Sequence, residues 1–248
     1  MTDLRQTMYL PGEGRVHMKQ CITQAFARCR ELSVKRLVLF TGTGEGVLYA
    51  LQEMLPQPDY SEIEIVAVTP PIGRRYKLDP RDPSSPIVEA GIASEVRNFL
   101  VEAGVVVISA HMPFKALGDP ESPTSGMTMA GEVLSILGGG FPLCIQSALV
   151  ACDAGAVSVG ERVVVASADT AIVLLTTRTE TFLSKNVGLL VEEFICRPAV
   201  FDISKREHAY VGMMSGSVSA EQLQLQLPSP EASANIADDG DVDGVKEE

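Results

Sequence analysis

The chain has 248 residues and a mass of 26.5 kDa, 46% of them hydrophobic, enough to bury one good core or two small ones and too much for disorder throughout. Twenty basic against 32 acidic side chains leave a net charge of −12, which repels a phosphate backbone and supplies no polybasic stretch for an anionic membrane, so neither nucleic acid nor membrane is an expected partner. No apolar run reaches the ~18 residues of a spanning helix, and the opening MTDLRQTMYLPGEG lacks the apolar core of a signal peptide, so a cytoplasmic location is expected.

The cysteines Cys21, Cys29, Cys144, Cys152 and Cys196 are odd in number, scattered, and never spaced C-x-x-C. They suggest neither a disulfide framework nor a zinc site, and read as small buried hydrophobes. From Pro228 to Glu248 seven acids face the single Lys246, a net of −6 and half of the total charge. This stretch has almost nothing to bury and is expected to be an acidic disordered tail.

Along the chain, Met18, Ile22, Ala25, Cys29 and Leu32 recur at spacings of three and four within 15–33 and predict an amphipathic helix. RLVLF at 36–40 is a strand that ends in Thr41-Gly42-Thr43-Gly44-Glu45-Gly46, after which VLYALQEML is helical. IEIVAV at 63–68 is the second strand, followed by a Pro- and Arg-rich loop to about Pro86 and a helix from about 87 to 103. VVVISA at 105–110 is the third strand. A helix is expected over 128–137 and another over PLCIQSALVACDAG, after the break Gly138-Gly139-Gly140. The strands 162–167 and 170–177 are so close together that only a tight hairpin joins them, which makes one antiparallel to the rest. GLLVEEFICRPAVFD is a candidate edge strand limited by Pro198. Alternating helices and doubly apolar strands predict an α/β fold, a mostly parallel five-stranded sheet with helices on both faces. The expected organisation is one domain over 1–205, a weakly structured extension over 206–227, where QLQLQL alternates, and the tail.

Ligands of such sheets sit beyond the carboxyl ends of the strands, where four places carry chemistry. TGTGEG at 41–46 is a small-anion site or a plain strand-to-helix turn; it lacks the Lys of a Walker loop, and Glu45 opposes a phosphate beside it. Arg74, Arg75 and Lys77 are the densest basic cluster and suit phosphate, or are solvated loop charges. His111, ending the third strand, is a candidate general base or phosphate ligand, or a structural histidine. Gly138–Gly140 at a helix start can cradle an anion through backbone amides, while Cys144 fits a core role better than a reactive one. Asp169-Thr170 fits a turn, or faces the same cleft.

With these elements in order, the chain resembles the carboxy-terminal domain of pyruvate kinase, and more closely the stand-alone proteins that consist of that domain only. The residues that carry the resemblance are LVLFTGTGEGVLYAL at 37–51, EIVAVTPPIG at 64–73, LCIQSALVACDAGAVSVGERVVVASADTAIVLL at 143–175, and His111; it spans about 14–203. It implies a three-layer sandwich without pyruvate kinase activity, since the catalytic barrel is a separate domain. In pyruvate kinase the loop corresponding to Thr41–Gly46 holds an allosteric sugar bisphosphate, and the stand-alone relatives resemble flavin mononucleotide (FMN) binders. The resemblance thus implies a phosphorylated small molecule as ligand and FMN as cofactor, with contacts from Thr41, Gly42, Thr43, Gly44, Gly46, Thr69, Arg75, His111, Gly138, Gly139, Gly140, Asp169 and Thr170. The sequence departs from the relatives at Glu45, where Lys or Arg is expected, at Gln146, where Glu is expected, and in the shortened Ser167-Ala168-Asp169-Thr170 link.

Three functions follow as expectations. The first is a binding module for a phosphorylated ligand. The second is an enzyme acting on a phosphometabolite or through flavin, with His111 and Cys144 in the cleft. The third is an interaction protein that kept the fold and lost the ligand. A homo-oligomer through an edge strand or helix face is expected of a small α/β unit.

Overall fold

The computed structural model describes residues 4–71, 73, 75–77, 87–89, 91–114 and 126–201. Arg74, the 206–227 extension and the acidic tail lie outside them. In chain order the strands are β1 (Met8–Leu10), β2 (Arg36–Phe40), β3 (Glu64–Thr69), β4 (Arg75–Lys77), β5 (Ile87–Glu89), β6 (Val106–Ser109), β7 (Arg162–Ala166), β8 (Ala171–Leu175) and β9 (Leu190–Pro198). The α-helices are α1 (Met18–Leu32), α2 (Glu45–Tyr49, continued by a π-helical turn at Ala50–Met54), α3 (Ser94–Glu102), α4 (Gly126–Leu134) and α5 (Gly140–Asp153).

Among the described residues seven strands form one sheet in the order β1-β9-β8-β7-β2-β3-β6, and β4 and β5 form a separate antiparallel hairpin. Only β8 runs against the others in the sheet, because the link from Ala166 to Ala171 is too short for a crossover. The expected strand count of five is corrected to seven. The candidate edge strand is an inner one, since β9 lies between β8 and β1, with Met8 opposite Cys196 and Leu10 opposite Pro198. Three residues are too few for β1 to show any alternation, and the run of backbone pairing to β9 makes it a strand. The helix expected from about 87 is corrected too. Ile87–Glu89 pairs with Arg75–Lys77, Gly91 takes a positive φ of 117°, and only from Ser94 is the backbone helical.

Side-chain alternation along the strands divides the core between the two faces of the sheet. On one face Leu37, Leu39, Ile65, Ala67, Val164 and Val173 pack with Ile22, Phe26, Leu48, Val96 and Leu100 of α1, α2 and α3. On the other, Val38, Val66, Val68, Val163, Val165, Ile172 and Leu174 pack beneath Ile145, Ala148 and Leu149 of α5, with α4 beside them. The result is three layers. Each large apolar side chain buried this way contributes on the order of 1.5–3 kcal/mol, so the central strands, apolar on both faces, anchor the fold.

Two local features position the site. α1 ends at Ser33, whose left-handed φ of 54° lets its amide and that of Val34 bond back to the carbonyls of Arg30 and Cys29, turning the chain into β2. α5 is buried from Gly140 to Cys152, so its polar groups are satisfied internally. Gln146 accepts from the Phe114 amide at 2.8 Å and donates to the Pro142 carbonyl at 3.2 Å. A carboxylate cannot make the second bond, which gives Gln146 a structural reason in this chain. Among the described residues no helix is long and apolar enough to cross a membrane.

Candidate functional site

From β2 the chain passes through α2, on one face, to β3 on one side; after β6 it returns through α5, on the opposite face, to β7 on the other side. The carboxyl ends of β2 and β7 therefore flank a topological switch point, the place where open α/β sheets hold their ligands. Leu39 lies opposite Ala166 there, so the loops after the two strands are neighbours.

Three of the loops singled out in the sequence meet at this point. Thr41–Gly44 leaves β2. Thr41 continues the ladder, its amide 2.9 Å from the Val68 carbonyl, and its hydroxyl accepts from the Gly44 amide at 2.8 Å. Gly44 has a φ of 87° and a built Cβ would fall 2.7 Å from Val96 Cγ1, so this glycine is required by both backbone and packing. Gly46 has a different role from the one expected. It is buried, and a Cβ there would press on Ile22 and Met18, so it lets α2 approach α1.

The second loop, Gly138–Gly140, starts α5, and the third is the link Ser167–Thr170. They are in contact: a Cβ on Gly140 would lie 2.4 Å from Asp169 Oδ1 and Thr170 Oγ1 and 2.7 Å from Ser167 Oγ. Asp169 is 1% exposed, and burial holds its carboxyl above the ordinary carboxylate range, opposed by bonds from the Gly14 amide at 2.7 Å and the Thr170 hydroxyl at 3.1 Å and by the nearby His17. Cys144 donates to the Thr170 carbonyl at 3.3 Å and is fully buried; burial pushes its thiol well up, which makes it core and unreactive.

Thr69 ends β3, beside β2. Its side chain is buried with no exposed surface, and its hydroxyl has no hydrogen-bond partner. Such a group costs about 1–3 kcal/mol to leave unsatisfied, so it marks a place where a polar partner would be stabilising. His111 follows β6, which is separated from β2 by β3. Two strand spacings, about 10 Å, lie between that strand and the switch point. Arg75 opens β4, in the hairpin outside the main sheet.

A fourth contributor, which the sequence analysis did not single out, is the segment Pro11–His17 between β1 and α1. It is fixed at one end by the Ala199 amide on the Leu10 carbonyl at 2.7 Å and contacts two of the loops and the start of α2. Glu13 Oε1 stands 3.4 Å from the Gly139 amide, the Gly14 amide donates to Asp169 Oδ2, and Arg15 is ion-paired with Glu45 at the start of α2. Each of these contacts joins positions 30 or more residues apart, and only the turn composition of Pro11-Gly12-Glu13-Gly14 hints at the loop.

What the arrangement offers is a set of backbone amides at the positive end of a 14-residue buried helix, Thr hydroxyls from two strand ends, and carboxylates that are already engaged. Among the described residues no group of three or more His, Cys, Asp or Glu side chains is placed to hold a metal ion. The chain has no match among models of known protein families or among curated proteins.

Proposed function

We propose that the protein binds a phosphorylated small molecule at the switch point between β2 and β7, with FMN as the first candidate and no pyruvate kinase activity. The observation that supports this most is the convergence of Thr41–Gly44, Gly138–Gly140 and Ser167–Thr170 on that one point, from three separate parts of the chain. Backbone amides at the start of α5 suit a phosphate, and the unsatisfied Thr69 hydroxyl suits a polar ligand atom. The resemblance to the stand-alone pyruvate kinase carboxy-terminal domains supplies FMN as the particular molecule. The residues present fit such a group through Gly139, Thr41, Thr43 and Thr69, provided that the Glu13 carboxylate leaves the Gly139 amide. A bound flavin would bring redox chemistry; these residues would hold and orient it.

Glu13, Glu45 and Asp169, the carboxylates engaged around these loops, favour a second function, a protein that kept the fold and lost its ligand. One experiment separates the two. The visible spectrum of freshly purified protein is recorded, the small molecule released on denaturation is identified by mass spectrometry, and the melting temperature is measured with and without saturating FMN. A flavin spectrum, or a rise in melting temperature that Thr43→Asp abolishes, supports binding at this loop. A colourless protein that releases nothing and melts at the same temperature in saturating FMN and in saturating inorganic phosphate overturns it in favour of the second function.

A further inference from the structure

We propose that Pro11–His17 is an autoinhibitory strap: it closes the switch-point crevice by placing the Glu13 carboxylate on the Gly139 amide, where the phosphate of a ligand would otherwise bind. This rests on the ligand-binding function above and adds its regulation. Three contacts define the closed state. Glu13 lies at the long end of hydrogen-bond range from Gly139, the Gly14 amide bonds Asp169 at 2.7 Å, and Arg15 pairs with Glu45, whose side chain is 22% exposed. Together they stitch the strap to the start of α5, to the β7–β8 link and to the start of α2, the elements whose loops form the crevice.

The strap is built to move as a unit. Its ends are held, by β1 pairing with β9 and by α1, which is buried along Met18, Cys21, Ile22, Ala25, Phe26 and Cys29. Between them, Gly12 and Gly14 give the backbone its freedom, and Gly14 takes a φ of 108° in the closed state. A Cβ at either glycine would meet nothing within 4 Å, so neither is there for close packing. Glu13 and an incoming phosphate are both anions seeking the same amide, so they exclude each other. The ligand's apparent affinity is then its intrinsic affinity reduced by the fraction of molecules with the strap open.

The test compares FMN binding, followed by quenching of flavin fluorescence, in the full-length wild type, Glu13→Ala and Glu102→Ala. Glu102 ends α3 at the opposite edge of the sheet and is exposed, so its variant makes the same change in net charge away from the crevice. Exchange of the Gly14 amide is measured in parallel. Glu13→Ala is expected to bind FMN about fivefold to tenfold more tightly than Glu102→Ala, and FMN is expected to accelerate Gly14 amide exchange in the wild type. Equal FMN affinity in the two variants, or Gly14 protection that is unchanged or increased by FMN, overturns the strap while leaving ligand binding intact. Failure of FMN to bind any of the three proteins overturns FMN as the ligand, and the strap's role as its competitor falls with it.

Discussion

Replacing Gly140 by alanine tests the contact on which the site is built. The added Cβ would fall 2.4 Å from Asp169 Oδ1 and Thr170 Oγ1 and 2.7 Å from Ser167 Oγ, far inside van der Waals contact. None of the three can turn aside. All belong to short buried side chains, Thr170 Oγ1 is tied to Asp169 at 3.1 Å, Asp169 to the Gly14 amide at 2.7 Å, and the Ser167 amide to the Thr170 carbonyl at 2.8 Å. Either the start of α5 or the β7–β8 link must shift by something like 1 Å, an overpacking that costs about 1–3 kcal/mol. The better helix propensity of alanine returns less than ~1 kcal/mol of this. A net loss of about 1–2 kcal/mol lowers the melting temperature of a domain this size by roughly 2–8 °C. Gly139→Ala, one residue earlier, is the internal control. Gly139 has helical angles of −63° and −29°, and its Cβ would meet only Glu13 Oε1 at 3.8 Å, so this variant is expected to be neutral or more stable by up to about 1 kcal/mol. Thermal melts followed by circular dichroism read both. An unchanged or raised melting temperature in Gly140→Ala would refute the close approach of α5 to the link.

Two further predictions concern buried ionisable groups. Asp169 has a folded-state pKa raised by burial above its ordinary 3.8, so the folded state holds its proton more tightly than the unfolded state, and stability falls as pH rises through that window. Asp169→Asn removes this dependence; its melting temperature relative to wild type is expected to improve as pH rises from 3.8 through the raised folded-state value and then to level off, and a flat difference throughout would contradict the burial argument. All five cysteines are buried, burial carries the Cys29 thiol up to about 12, and the sulfur contact with Cys196 together with burial raises Cys21. The native protein is therefore expected to show no thiol reacting with Ellman's reagent within minutes and five after denaturation in urea; a fast-reacting equivalent in the native state would show that a cysteine is accessible.

The parts of the fold that were legible are those written in local pattern. RLVLF, EIVAV and RVVVA are apolar at every position buried on either face, and the near-contact of β7 and β8 in sequence forces their antiparallel pairing. The parts that were not legible depend on tertiary pairing. Met8–Leu10 is a strand only because β9 is there to bond it, and Ile87–Glu89 only because Arg75–Lys77 is. The same division holds at the site. The glycine loops are visible as composition, but their glycines do different things: Gly44 answers to φ, Gly46 to α1 and Gly140 to the Asp169 link. His111 drew attention as the histidine ending a strand, and topology then places that strand two positions from the switch point, because a strand's place in the sheet is not set by its order in the chain.

The carboxylates at the crevice bear on function in opposite ways at the two levels. Counted as residues, Glu45 and Asp169 repel a phosphate and favour a protein that has lost its ligand. As they stand in the fold, each is committed: Glu45 to Arg15, Asp169 to the Gly14 amide and the Thr170 hydroxyl, and Glu13 to the Gly139 amide. Amides at a helix start need a partner whether or not a ligand binds, because closing them over with apolar side chains would leave them unsatisfied. Here an anion of the chain itself is kept on an amide that suits anions, on a segment with glycines at either side of Glu13. In that arrangement the amide's preference for negative charge is retained, and exchange of its occupant is what would separate the covered site proposed above from one that is gone.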